Sequence, residues 1–421
     1  MSAAHEGRIQ SSEDLAATIS AAVDETPILD VHTHIYSAGF GPLLLWGVDQ
    51  LITYHYLIAE VARGDTAVSP EALFAMSKGE QADHIWKTLF LDSSPVSEAQ
   101  RGVLTTLAAL GIDISSRDLG AARQYFADVT VEQYIDKVFE LANVESVVMT
   151  NDPFDEQEHA VWEAGGHDDA RFRAALRMDA LLLGWDTAVE KLRGWGYEVN
   201  PALDADTCAE VRRFLTDWID RIKAVYMAVS LANTFRFPED SPCSRIIENC
   251  VLPVARDRGL PFAMMIGVKR AVNPALQLAG DSVGKFDVDV LDGMCAGYPD
   301  VKFLVTLLSR ENQHELCVAA RKFPNLMPFG CWWFLNNPSI IEEMTRMRLE
   351  LLGLSFIPQH SDARILDQLI YKWTHSRAIL KRVLLDKYGD AMVAGWPLTR
   401  DDIFRDVGRL FSGNFHAFVG S

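Results

Sequence analysis

Short, almost wholly apolar runs recur along the chain, at 28–32, 145–150, 172–177, 223–229, 261–267, 301–307, 326–330 and 354–360. Between them lie longer stretches in which apolar residues return at helical spacing. Continuous apolarity, rather than strict alternation, marks strands covered on both faces, as in a parallel sheet with helical crossovers. Eight such runs in strand–helix order predict an α/β fold of the (β/α)8 TIM-barrel type.

The intervening helices carry their own punctuation. The 207–225 stretch sets apolar residues on one face and charges on the other. The 338–352 stretch opens with Asn337 and Pro338, a cap and a first-turn proline, and stops before Gly353. A further long helix is expected over 365–385. About a hundred residues, roughly 40–140, separate the first two strands, too many for an ordinary crossover. They hold helical pieces at 46–62 and 95–110 and predict a large helical insertion after strand 1, lying over the barrel mouth. With no low-complexity linker and no internal repeat, the expected organisation is an N-terminal arm or helix over 1–24 and one barrel domain over 25–421. A small separate helical subdomain would read the same way.

Composition narrows the function. The 421 residues are 49% hydrophobic and 23% charged, enough for a large core. The formal net charge of −19 argues against a nucleic-acid surface, which needs a basic stripe. A local arginine cluster can still make a pocket for an anion. The six cysteines form no C-x-x-C pair, so free thiols in a reducing compartment are expected. The polar N-terminus lacks an apolar signal core, and the longest apolar runs are too short to span a bilayer. These features predict a soluble cytoplasmic protein with no membrane or nucleic-acid partner.

In barrels of this type the chemistry sits where strands end. The first strand ends in His32-Thr33-His34, and alternation puts both imidazoles on one side, where they can bind a divalent ion of the zinc type. Strand two ends in Thr150-Asn151-Asp152-Pro153, which reads equally as a turn. Strand three ends in Arg177-Met178-Asp179 and strand six in Ser309-Arg310-Glu311. Either arginine can hold a carboxylate bidentately or sit in an internal salt bridge. Trp332-Trp333-Phe334 after strand seven is a stacking wall for a sugar or plain core. Strand eight ends in His360-Ser361-Asp362-Ala363-Arg364, facing strand one across the closed barrel. Asp362 can complete a three-ligand metal site with His32 and His34, act as general base, or cap the next helix, and Arg364 can stabilise an oxyanion.

This pattern resembles the amidohydrolase superfamily and, more closely, its uronate (glucuronate) isomerases. The likeness rests on Asp30-Val31-His32-Thr33-His34, Tyr54-His55-Tyr56, Thr150-Asn151-Asp152-Pro153, Arg177-Met178-Asp179, Ile266-Gly267, Gly330-Cys331-Trp332-Trp333-Phe334 and Ser361-Asp362-Ala363-Arg364. It implies aldose–ketose isomerisation of a hexuronate through a cis-enediol. Asp362 would carry the proton with Arg364 as partner, and Tyr56 would hydrogen-bond the substrate. Arg177 would hold its carboxylate, and His55, Trp332, Trp333 and Arg310 would complete the binding surface. His32, His34 and Asp362 would hold one divalent metal, zinc by type and loosely bound or dispensable. The implied partner is a small acidic sugar, bound by a homo-oligomer.

The chain departs from the family pattern at Met265, where a histidine is usual. It also departs after Tyr56, around 94–97, and after Tyr371, where an arginine is usual. These departures keep two other readings open. One is a mononuclear metal-dependent hydrolase of a lactone, ester or amide; the other is a non-catalytic binder of sugar acids.

Overall fold

The computed structural model describes residues 7–420, so residues 1–6 of the expected N-terminal arm lie outside the described residues. The strands are β1 (Ile28–Thr33), β2 (Val144–Asn151), β3 (Phe172–Arg177), β4 (Met227–Ala232), β5 (Phe262–Lys269), β6 (Ser282–Val283), β7 (Phe303–Leu307) and β8 (Leu326–Pro328). All but β6 form one curled parallel sheet in chain order, while β6 is a two-residue antiparallel partner at the end of β5. The fold is therefore α/β, as the apolar runs predict.

The pleat sorts the strand residues into two apolar clusters. Ile28, Val147, Met227, Phe262 and Phe303 pack outward against helices. Their neighbours Leu29, Val148, Ala228, Ala263 and Leu304 pack inward on one another. Both sets are nearly inaccessible to water, which is why these strands read as unbroken apolar runs. Each fully buried Leu, Ile or Phe contributes about 1.5–3 kcal/mol to the fold.

Two expected strands differ in the structure. The 223–229 run begins as a helix end, because Lys223 takes a left-handed conformation (φ 52°) as the cap of the Ala205–Ile222 helix. The 354–360 run is not a regular strand. Pro358 has no N–H to give a ladder, and Asp362 turns into the left-handed region at φ 50°. The segment still bonds on both sides. On one side Ile357 N–H donates to Pro328 O (3.1 Å) and Gly330 N–H to Ile357 O (2.9 Å). On the other, Asp362 N–H donates to His32 O (3.1 Å) and His34 N–H to Ala363 O (2.7 Å).

The helices follow their caps. Asn337 accepts from Ile340 N–H and starts the Pro338–Leu352 helix, which stops at Gly353 (φ 61°), as the sequence predicts. Ser11 caps the Ser12–Glu25 helix, which packs on the long Gln368–Val393 helix. From Ala38 to Ala142 the chain is mostly helical, with an apolar cluster of its own that includes Leu51, Ile58, Trp86 and Leu107. Ile365 and Tyr371 join that cluster and tie it to the rest of the molecule. Gly102 makes the join possible, since a Cβ there would lie 2.7 Å from the Tyr371 ring. Among the described residues no helix is long and apolar enough to cross a membrane, and the six cysteines are free.

Candidate active site

The β1–β2 register shifts between Asp30 and Thr33, and this irregularity turns His32 into the inner cluster beside Phe329 and His360. The hydroxyl contacts at each Nδ1 assign a tautomer to both imidazoles. The Tyr226 hydroxyl gives its only proton to Val31 O (2.8 Å), so its 3.2 Å contact with His32 is donated by Nδ1–H. The Thr150 hydroxyl gives its proton to Thr33 O (3.0 Å), so the 2.9 Å contact with His34 is likewise donated by Nδ1–H. Both rings are left with an Nε2 lone pair directed at Asp362 Oδ1, at 3.7 Å from His32 and 3.4 Å from His34.

In these tautomers three lone-pair atoms converge within 4.8 Å of one another. His32 Nε2 and Asp362 Oδ1 are buried with no hydrogen-bond partner among the described residues. A proton does not supply the missing charge, because burial, then the neighbouring His34, push His32 down to about 3. The donor set fits one divalent cation, with two imidazoles and a carboxylate as ligands and the hydroxyls of Tyr226 and Thr150 orienting the rings. Met265, buried on the inner face of β5, offers no further ligand.

Asp362 is held by its neighbour's backbone. Ser361 N–H donates to Asp30 Oδ1 (3.0 Å), and Ser361 O accepts from Lys372 Nζ (2.5 Å) and Asn336 Nδ2 (3.2 Å). Trp373 Nε1 donates to the other Asp30 oxygen at 2.9 Å. Burial raises the Asp30 carboxyl to about 6 and lowers the Lys372 ammonium to about 8. These opposite charges grip the two ends of the Ser361 residue and stabilise the left-handed turn at Asp362, a conformation that costs a non-glycine residue energy. Trp333 is held in the same region, at φ 45°.

A narrow cavity opens above this turn. It is lined by His34, His55, Arg177, Trp332, Trp333, Asp362 and Arg364 among the expected residues. Tyr54, Ser230, Arg270 and Leu278 also line it, and the sequence reading did not single these out as site residues. Arg177 is bonded twice to Asp179 (3.0 and 3.3 Å), so it meets a ligand with its orientation already set. Tyr56 lies behind the wall, half-buried with its hydroxyl covered, at the ring edges of Tyr54 (4.9 Å) and His55 (4.5 Å).

Arg310 is not brought here. It is more than half exposed and paired with Glu343 (2.9 Å), because the chain after β7 turns outward into a short helix. His360 is a further buried group of the site region, its ring 5.1 Å from that of His32 and both nitrogens without partners among the described residues. Gly330 makes room for it, since a Cβ there would lie 1.8 Å from His360 Cδ2.

A carboxylate, two proton-free imidazole nitrogens and three guanidinium groups at the C-terminal edge of a curled parallel sheet define an α/β enzyme. No protein-family model and no curated protein matches the chain. Solved structures do. The crystal structure of a uronate isomerase from Bacillus halodurans is 59% identical and superposes with a TM-score of 0.96, covering 98% of this chain and 97% of that one. The chain belongs to the uronate isomerase family. The fold extends to more distant structures. A uronate isomerase from Thermotoga maritima (16% identity, TM-score 0.77) covers 96% of this chain and 97% of its own. A glucuronate isomerase from Caulobacter crescentus (17%, 0.71) covers 99% and 96% respectively.

Proposed function

We propose that the chain is an aldose–ketose isomerase of a hexuronate. One observation supports this most: among the described residues Asp362 is the sole acidic residue lining a cavity that also holds Arg177 and Arg270, each oriented by its own aspartate, and Arg364, which makes no ion pair. Such a cavity binds a carboxylated sugar and places one base against it. In this reading Arg177 takes the substrate carboxylate, and the Trp332 and Trp333 rings flank the carbon chain. Asp362 removes the C2 proton and returns it to C1, while the O2 proton passes to O1, so the enediol closes to a C2 ketone with no net redox change. Arg364, beside Asp362, stabilises the negative charge that develops on oxygen. Tyr56 and His55 support that wall. A divalent metal of the zinc type, when bound by His32, His34 and Asp362, would add Lewis-acid polarisation of a substrate oxygen.

On the same reading residues 25–421 are one (β/α)8 barrel. Its eighth strand is the irregular 354–363 segment, and its mouth is roofed by the helical insertion at about 40–140.

The test is incubation of the purified protein at high concentration with D-glucuronate and D-galacturonate, with ketose read by NMR. Ketose from either sugar is expected, and its absence with both contradicts the proposal. The single metal site with its two neutral histidines also suits water activation. A lactone or ester hydrolysed in a chelator-sensitive way, with no ketose from any hexuronate, would establish the hydrolase reading instead.

A further inference from the structure

A second cavity, of about 290 Å³, adjoins the first and shares Tyr54, His55, Leu278 and Arg364 with it. Its remaining polar groups are Gln50, Thr53, Lys78 and Gln81, with Gln277 on the rim. The lining mixes buried Thr53 and Gln81 with exposed Lys78 and Leu278, so the cavity is open to water. The chain carries 58 acidic residues, yet none of the described ones lines this cavity.

Lys78 Nζ donates to Thr53 Oγ1 at 3.0 Å and makes no ion pair among the described residues. Arg270 in the lining of the first cavity, by contrast, pairs with Asp281 at 2.6 Å. In the wall common to both cavities, His55 Nε2 is buried and has no hydrogen-bond partner among the described residues. The shared wall offers an anion His55 and Arg364, and Lys78 lines the second cavity alone.

We infer that the second cavity is an anion-capturing vestibule, in which Lys78 receives the carboxylate of the incoming acidic sugar before it reaches Arg364 and Asp362. This rests on the hexuronate reading above. The need is physical: a protein of net charge −19 repels its anionic substrate. At physiological salt only charges within about 8 Å act unscreened, so a local unpaired cation has to provide the attraction. Clefts lined by one sign of charge raise association rates by about 10- to 1,000-fold, and a single residue accounts for part of that.

The experiment is stopped-flow tryptophan fluorescence with D-glucarate, read through Trp332 and Trp333 in the cavity wall. Glucarate is a hexuronate-like dianion without an aldehyde, so its binding is measured independently of turnover. Lys78→Met is expected to lower the association rate constant about 3- to 10-fold at low salt and to flatten its salt dependence, with Lys78→Arg restoring both. Lys87→Met makes the same charge change on an exposed lysine paired with Asp92, and should leave the rate as it is. An unchanged rate and salt slope in Lys78→Met, or an equal loss in Lys87→Met, overturns the vestibule. Failure of the hexuronate reading shows separately, as a wild-type protein that makes no ketose.

Discussion

Thr150 accepts from His34 Nδ1–H while its own proton goes to the Thr33 carbonyl, and that one hydroxyl decides which nitrogen of His34 faces Asp362. Thr150→Val keeps the shape and removes the acceptor, so the ring is free to turn or to change tautomer. A divalent metal should then bind about 10- to 100-fold more weakly, measured by competition with a chromophoric chelator. Equal affinity would show that the threonine does not orient the ligand.

Glu158 tests a second buried charge. It accepts from Tyr36 Oη (2.7 Å), Asn151 Nδ2 (2.9 Å) and Asp152 N–H (3.0 Å), and burial raises it from 4.5 to about 7. The folded protein therefore holds a proton between those values that the unfolded chain has lost. Ionisation of Glu158 opposes folding fully above about 7 and not at all below 4.5. Relative to Glu158→Gln, the wild type should lose about 1–3 kcal/mol of stability between pH 5 and pH 8, read from denaturant midpoints. A gap that does not change with pH contradicts the assignment.

Among the elements, the junction of β8 with the 354–363 segment is the most tightly specified. Gly330 has φ 66° and faces the His360 ring, so Gly330→Ala both strains the backbone and drives a methyl group into an imidazole. A loss of about 2–4 kcal/mol is expected by chemical denaturation, and a neutral result would mean that His360 moves freely.

This junction also marks the limit of what the chain discloses by itself. The runs that became β1, β2, β3, β5 and β7 were legible because both faces of each strand are buried, and Asn337 and Gly353 bounded their helix because capping is local. The 354–360 run reads as a strand by apolarity, but Pro358 and the turn at Asp362 break its ladder. His32, His34 and Asp362 could be paired from strand-end positions alone. Tyr54, Arg270 and Leu278 reach the cavity from helical and loop segments whose direction no periodicity records. Arg310 shows the converse, since a residue just after a strand can leave the mouth as easily as enter it. The hydroxyls of Tyr226 and Thr150 were hidden for a third reason: their role depends on contacts 194 and 116 residues apart in sequence.

At the scale of the molecule, a strongly acidic protein concentrates three arginines and a single carboxylate in one cavity, and sets an acid-free second cavity beside it. In the proposed reading that distribution suits a small anion, with Asp362 as the proton carrier. The most direct measurement is NMR of D-glucuronate and D-galacturonate in D₂O with the wild type and with Asp362→Asn. The account predicts ketose from the wild type, with deuterium entering at C2 of the recovered aldose or C1 of the ketose, and neither product nor exchange with the variant. Ketose formed at a comparable rate by Asp362→Asn, or no change in either hexuronate with the wild type, would contradict it.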